Sequence, residues 1–125
     1  MTNPSRRDVV WVTFPDSDDI PDEEMDNPHM AVVLQNNGLN DRKNSTVVIP
    51  ITSGTASDRT CEVEIPSYEE PVDHDSIAVL TQITTVSIPE RIHDAGEEEN
   101  AWKAGELSRD RMNEIENRLG YVFGI

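Results

Sequence analysis

The sequence predicts a small, mainly β protein in which short antiparallel strands close into a barrel, with one helix at the C-terminal end. Two observations support this prediction. Several short apolar, β-branched runs follow one another with turn residues between them, and only the last segment repeats apolar residues at helical spacing. A chain of 125 residues has the length of one ordinary domain, so we expect residues 1–125 to form a single domain.

Six segments have strand patterns. They are residues 8–14, 30–35, 46–51, 61–65, 77–80 and 83–86, and we expect the last two to form one strand that bends between them. Residues 30–35 and 46–51 are nearly continuous apolar runs, which are typical of strands covered on both faces. Residues 61–65 alternate apolar residues with glutamate, which predicts a strand with one face in water. Trp11 alternates with Val9, so we expect it in the core.

The C-terminal helix has a clear start signal. Ser108 is a natural N-cap residue, and Leu107 and Met112 stand at the positions of a hydrophobic staple. Apolar residues then recur at spacings of three and four, which predicts one stripe that packs on the sheet: Met112, Ile115, Leu119 and Val122. Gly120 is a candidate end of the helix, although the stripe continues beyond it.

Three stretches predict exposed connections between these elements. Residues 16–28 are rich in acids and contain two prolines, residues 36–44 are rich in turn formers, and residues 94–100 are acidic. We expect the first of these to be a long solvated loop, because it shows neither a helical nor a strand period.

The chain is strongly acidic: Lys and Arg number 10 and Asp and Glu number 25, giving a formal net charge of −15. This charge opposes nucleic-acid binding at low salt, because affinity for phosphates comes mainly from Lys and Arg. Only Lys43 and Lys103 are lysines, and the acids are spread along the chain. Such a surface suits molar salt, where the screening length falls to about 3 Å, so we interpret the protein as halophilic. Because no apolar stretch has membrane length, we expect no membrane partner and a cytoplasmic location.

Cysteine and histidine give no sign of a thiol nucleophile or a metal site. Cys61 alternates with Val63 and Ile65, a pattern that favours a buried small residue over a reactive thiol. The histidines share no ligand spacing, and residues 16–22 lack the glycine and the distal glutamate of a calcium loop. We therefore expect no metal and no cofactor.

Five stretches, taken in order, resemble one known family over nearly the whole chain. They are residues 8–15 (DVVWVTFP), 31–36 (AVVLQN), 45–53 (STVVIPITS), 75–85 (DSIAVLTQITT) and the helix that follows residues 105–108 (GELS). The chain thereby resembles the PemK/MazF toxins of type II toxin–antitoxin pairs.

This resemblance implies an SH3-like antiparallel β-barrel with a C-terminal helix, and a homodimer. It implies a groove across the dimer that binds single-stranded RNA, with a cognate antitoxin lying over the same groove. Family members are metal-independent endoribonucleases. In their reaction the ribose 2′-hydroxyl attacks the adjacent phosphate and leaves a 2′,3′-cyclic phosphate, which requires a base, an acid and stabilisation of charge on the phosphate.

The resemblance also implies catalytic residues. Family members place an arginine just before the second strand and a threonine or serine just after the third. Thr52 and Ser53 match the second position, whereas His29 stands at the first. Histidine is able to act as acid or base but cannot hold a phosphate bidentately as arginine does. The catalytic candidates are therefore His29, Thr52 and Ser53; the alternative is an ordinary turn whose hydroxyls bond the backbone, and a loop histidine with no role.

Five further residues are candidates for binding RNA. Gln82, in the stretch that matches the fifth strand of the family, has an amide suited to reading a base edge or, alternatively, to bonding the sheet backbone. The others are basic residues, which would form a phosphate site if they converge with His29: Arg7, Arg42, Lys43 and Arg59. Arg7 stands where the family usually has glycine. The alternative is that these are isolated surface cations with no such role.

Two other functions stay open. The CcdB toxins, built on a related barrel, bind and poison DNA gyrase without cutting nucleic acid, and they rely on a helix that ends in Trp-Gly-Ile. This chain ends in Phe123, Gly124 and Ile125. The replacement of the family arginine also allows an inactive descendant that acts as a regulator or a partner-binding module.

Overall fold

The computed structural model describes residues 2–14, 28–95 and 101–125. Within these ranges the chain forms the strands β1 (Asp8–Val12), β2 (His29–Val33), β3 (Ser45–Ser53), β4 (Glu62–Ile65), β5 (Ser76–Val79), β6 (Thr84–Ser87) and β7 (Lys103–Glu106). Two α-helices accompany them, α1 (Asn37–Asn40) and α2 (Arg109–Phe123). Short helical turns occupy Leu80–Gln82, Ile88–Ile92 and His93–Ala95.

The described strands pair antiparallel in the order β4-β5-β3-β2-β1-β7, and β6 also pairs with β3. β3 is the hub, because its first half pairs with β6 and its last three residues pair with β5. The sheet therefore curls into a half-barrel, and the C-terminal helix packs on it. The predicted fold class is confirmed, as is the bend within residues 77–86, where the turn Leu80–Gln82 joins β5 to β6.

Two hydrophobic clusters hold the sheet, and strand alternation sends neighbouring residues to one or the other. Val9 belongs to the first cluster, together with Met112 and Ile115 of α2, whereas Val10 belongs to the second. Trp11 packs against the first cluster but is only partly buried, so its predicted place in the core is only partly confirmed. Trp102 is buried in the second cluster.

The helix α2 begins as predicted. The Ser108 hydroxyl accepts a hydrogen bond from the backbone N–H of Arg111 at 3.2 Å, and Leu107 and Met112 are both buried. The helix runs past Gly120 and ends at Gly124, whose φ of 68° is the left-handed conformation that glycine adopts without strain. Gly120 is therefore not the end of the helix.

Several sequence expectations differ from the structure. Residues 36–44 contain α1, capped by the Asn36 side chain, where only turns were expected. β7 was not predicted, because its Lys-Ala-Gly-Glu sequence is mostly exposed and has no apolar alternation. The predicted loop 16–28 lies outside the described residues except for Pro28. Residues 96–100 of the predicted loop 94–100 also lie outside them.

Cys61 is half-buried in the turn just before β4, so the expectation of a buried residue is only partly met, whereas Val63 and Ile65 are fully buried. Desolvation, and then the charge of Asp58, raise the pKa of the Cys61 thiol, which disfavours the thiolate. Among the helices in the described ranges, none has the length and apolar character required to cross a membrane.

Candidate active site

A cleft opens where β3 parts from β2. The pairing of these strands runs from Val33 opposite Val48 to Ala31 opposite Pro50, a residue with no amide hydrogen to extend the ladder. From Ile51 onward β3 pairs with β5 on its other side. The side of Thr52 and Ser53 that faces β2 is thus left open, and a cleft of about 320 Å³ lies there.

The three predicted catalytic residues line this one cleft. If the register of β2 and β3 is continued by two residues, His29 comes level with Thr52. Thr52 and Ser53 are exposed, whereas His29 is half-buried. The cleft, called the histidine cleft below, has the following lining: Trp11, Pro28, His29, Met30, Ile51, Thr52, Ser53, Asp73, His74 and Ser76.

The imidazole of His29 packs against an aromatic ring. Its ring makes an edge contact with the ring of Phe14, with centroids 6.3 Å apart. Its Nε2 is buried and has no hydrogen-bond partner within the described residues.

Two residues of the cleft were missed at the level of sequence, Asp73 and His74. Both lie on the loop that leads into β5, which the pairing of Ser53 with Ser76 brings to the end of β3. The loop is tied down, because the Gly54 N–H donates to the Asp75 carbonyl at 3.1 Å. The Asp75 carboxylate accepts the Ser67 N–H and hydroxyl at 2.9 and 2.8 Å, and these bonds lower its pKa. No short sequence pattern signals this approach, since it depends on a strand pairing between distant segments.

The charge of the histidine cleft is unusual for a phosphate-handling site. No lysine or arginine is part of its described lining, and Asp73 contributes a carboxylate. Across the described ranges, no group of three or more His, Cys, Asp or Glu side chains is placed to hold a metal ion. Besides this carboxylate, the polar groups that line the cleft include two imidazoles and the hydroxyls of the exposed residues Thr52 and Ser53.

Arginines gather instead in a second cleft, of about 510 Å³, near the start of α2. Its lining, called the arginine cleft below, is Ser5, Arg6, Arg7, Asn37, Glu106, Arg109, Met112, Asn113 and Glu116. Arg6 is already engaged, because it pairs with Glu116 at 2.8 Å and donates to the Leu34 carbonyl at 3.0 Å.

The other predicted RNA-binding residues are scattered, and none of the five lines the histidine cleft. Gln82 is exposed at the end of the turn Leu80–Gln82, and Lys43 is exposed after α1. Arg59 pairs with Glu64 at 3.3 Å, and Arg42 donates to the Gly38 carbonyl at 3.2 Å. Their convergence with His29 is therefore not seen in the described residues.

Residues 5–123 match the family of PemK-like, MazF-like toxins of type II toxin–antitoxin systems. The chain belongs to this family. No protein of curated function matches the sequence closely enough to count as a relative.

Solved structures of the PemK/MazF fold superpose on nearly the whole chain. A mycobacterial endoribonuclease in complex with its cognate antitoxin is 19% identical with a TM-score of 0.72, covering 98% of this chain and 96% of that one. MazF from Deinococcus radiodurans is 18% identical with a TM-score of 0.71, and all of both chains is covered. A MazE–MazF complex from the same organism is 18% identical with a TM-score of 0.72, covering 100% and 99%. At these identities the likeness establishes the fold.

Arg7 shows how this member of the PemK/MazF family departs from the pattern that the resemblance implies. It occupies the usual glycine position with a φ of 83°, a left-handed conformation that costs a non-glycine residue about 1–2 kcal/mol. Two backbone bonds hold it there: its N–H donates to the Val33 carbonyl at 2.8 Å, and its carbonyl accepts from Leu107 at 2.9 Å. Its Nε is buried and lacks a hydrogen-bond partner in the described part of the chain.

Proposed function

We propose that this protein is a toxin that cuts single-stranded RNA without a metal ion, leaving a 2′,3′-cyclic phosphate and a 5′-hydroxyl. The observation that carries the proposal is the shared cleft of His29, Thr52 and Ser53 in a chain of the PemK/MazF family. The residues that the family resemblance singles out are far apart in sequence, and they line one surface that is open to a ribose-phosphate chain.

In the proposed reaction the Thr52 and Ser53 hydroxyls donate hydrogen bonds to the non-bridging phosphate oxygens, which carry the developing charge. His29 exchanges a proton with a reacting oxygen, as an imidazole does near neutral pH. Because no arginine is among the described residues that line the cleft, charge stabilisation falls to these hydroxyls and to the protonated imidazole. This division of labour differs from the arginine-based one that the family resemblance implies.

RNA held in this cleft needs further contacts. We propose that Gln82 contacts a base, and that Arg7, Arg42, Lys43 and Arg59 contact phosphates beyond the scissile one. Since these residues lie outside the histidine cleft, they would change the affinity for RNA and would not take part in the chemical step.

The same proposal includes partners and setting. The similar solved structures include an endoribonuclease in complex with its cognate antitoxin and a MazE–MazF complex, which supports a cognate antitoxin for this chain. We propose that residues 1–125 form one domain that works as a homodimer in the cytoplasm of a salt-rich cell. The net charge of −15 supports the last point, since high salt screens repulsion among surface acids.

One observation favours a second candidate, a CcdB-like poison of DNA gyrase. The C-terminal residues are exposed although apolar: Phe123 is 58% exposed and Ile125 96%. An inactive descendant that only binds a partner is the remaining candidate. Both differ from the toxin nuclease in that neither cuts RNA.

The test is cleavage of an unstructured RNA by the purified protein in concentrated KCl with EDTA. We expect 2′,3′-cyclic phosphate ends, and a rate that falls at least about tenfold in His29→Ala and in Thr52→Ala. Thr85→Ala, which removes an exposed hydroxyl from β6, is the matched control and should keep the wild-type rate. Growth arrest without RNA cleavage, lost on deleting Gly124 and Ile125, would favour the gyrase poison. Absence of both activities would favour the inactive descendant.

A further inference from the structure

The cleft at the end of β3 is lined by two imidazoles from different segments, His29 on β2 and His74 on the loop before β5. β3 lies between β2 and β5 in the sheet order. On the β2 side, continued register brings His29 level with Thr52. On the β5 side, Ser53 pairs with Ser76, and His74 lies two residues before Ser76 in the lining of the same cleft.

The backbone of His74 has a defined place. Its carbonyl accepts the Ser76 hydroxyl at 2.6 Å, and the next carbonyl, that of Asp75, accepts the Gly54 N–H at 3.1 Å. Further back on the loop, Glu70 is buried and accepts the N–H and hydroxyl of Ser108 at 2.8 and 2.7 Å. These bonds fix the loop to the end of β3 and to the start of α2, so the backbone of His74 is held at the edge of the cleft.

We propose that His29 and His74 form an acid–base pair for RNA cleavage, an inference that rests on the proposed function. One imidazole accepts the proton of the ribose 2′-hydroxyl while the bond from O2′ to phosphorus forms. The bond from phosphorus to O5′ breaks, and the other imidazolium gives its proton to the departing O5′. No oxidant, reductant or metal is consumed. The imidazole that acts as base gains one proton and the imidazolium that acts as acid loses one. The pair therefore ends the step with the same number of protons, with the protonated and neutral rings exchanged.

Two imidazoles in one cleft suit this reaction, because it needs both a proton acceptor and a proton donor. Displacement at phosphorus brings the entering and leaving oxygens into line on opposite sides of the phosphorus atom. A phosphate bound in this cleft would lie between segments that each contribute one imidazole, β2 with His29 and the loop before β5 with His74. One histidine alone would have to serve both sides.

The titratable groups that face His74 in the described part of the cleft are His29 on β2 and Asp73 on its own loop. β1 contributes Trp11, β3 contributes Ile51 with the two hydroxyls, and β5 contributes Ser76, none of which changes charge near neutral pH. The two imidazoles are therefore the candidate proton acceptor and donor of the described lining, and Asp73 is the carboxylate beside them.

The experiment compares His74→Gln with His93→Gln in the RNA cleavage assay across pH. His93 is the matched control, because its Nε2 lies 3.1 Å from the Thr2 carbonyl and its ring contacts Trp102, away from the cleft. We expect a bell-shaped profile for the wild type, with one limb missing in His74→Gln and kcat lower by about a hundredfold or more. KM should change little, and His93→Gln should match the wild type. Circular dichroism shows whether each variant is folded.

A second substrate separates chemistry from structure. RNA with sulfur in place of the bridging O5′ has a leaving group that needs no proton, so it should restore most of the rate to whichever histidine variant lacks the acid. Cleavage by His74→Gln at the wild-type rate, with His29→Gln slow, would overturn the pair and leave the proposed function standing. The pair is also overturned if His74→Gln is slow but keeps both limbs and neither histidine variant is rescued by sulfur. A wild-type protein that cuts no RNA would overturn both proposals.

Discussion

The two clefts of this protein differ in what occupies their polar groups. In the arginine cleft, Arg6 is bound to Glu116 and to a backbone carbonyl, and Glu106 offsets part of the remaining positive charge. In the histidine cleft, Thr52 and Ser53 are exposed, and the buried Nε2 of His29 has no hydrogen-bond partner among the described residues. The comparison teaches that the positive charge and the groups suited to proton transfer have been placed apart. A search for basic residues alone would choose the arginine cleft and not the cleft in which we propose the chemistry.

The largest effect that separates the clefts is expected in kinetics. His29→Gln should lower kcat by about a hundredfold or more, since general acid–base catalysis contributes that much. Arg7→Gln, in the arginine cleft, should mainly raise KM, because it would weaken phosphate contacts away from the reacting atoms. Steady-state cleavage of a fluorescent RNA measures both. A loss of kcat in Arg7→Gln as large as that in His29→Gln would remove the distinction.

Glu70 links the loop that carries His74 to the start of α2, and its replacement should have the next largest effect. The buried carboxylate binds Ser108 at the start of α2 and lies 3.5 Å from Arg111, while its loop carries His74. Glu70→Gln should therefore lower the free energy of unfolding by about 1–3 kcal/mol. Urea unfolding measures it. Arg59→Gln, which breaks the exposed pair with Glu64, is the control and should cost about 1 kcal/mol or less.

Arg7→Gly tests the arginine cleft from the opposite direction. Glycine adopts a φ of 83° without the strain that arginine bears, so we expect the variant to be more stable, by up to about 1 kcal/mol. Thermal unfolding followed by circular dichroism checks this. Should Arg7→Gly prove less stable than the wild type, the side chain must contribute contacts that outweigh the backbone strain.

The smallest effect concerns pH and the loop of the histidine cleft. Hydrogen bonds from the Ser67 N–H and hydroxyl lower the pKa of Asp75, so its stabilising effect is present above the ordinary carboxylate range and is lost as the pH falls through the lowered value. Asp75→Asn should be less stable than the wild type at pH 7, and the difference should shrink below about pH 4. Unfolding curves at pH 7 and pH 3 compare them; a difference that grows in acid would contradict the assignment.

Sequence patterns were sufficient where local chemistry decides the structure. The continuous apolar runs of β2 and β3 and the Ser108 cap of α2 appear in the structure close to where they were predicted. Sequence patterns were insufficient where the structure depends on pairing between segments that are distant in sequence. β7 has no apolar alternation and exists because β1 offers it an edge. The family resemblance placed His29 and Thr52 in the candidate site, but His74 reaches it only through the pairing of β3 with β5.

The most direct test of the central claim is where RNA touches the protein. An RNA with 2′-deoxy sugars cannot be cut, so it can be titrated into the wild-type protein in concentrated KCl while the imidazole and threonine signals are followed by NMR. We expect the NMR signals of His29, Thr52 and His74 to shift and to saturate together, while the signal of His93 does not shift. Shifts confined to residues around Arg109 and Asn113, with the histidine cleft silent, would contradict it.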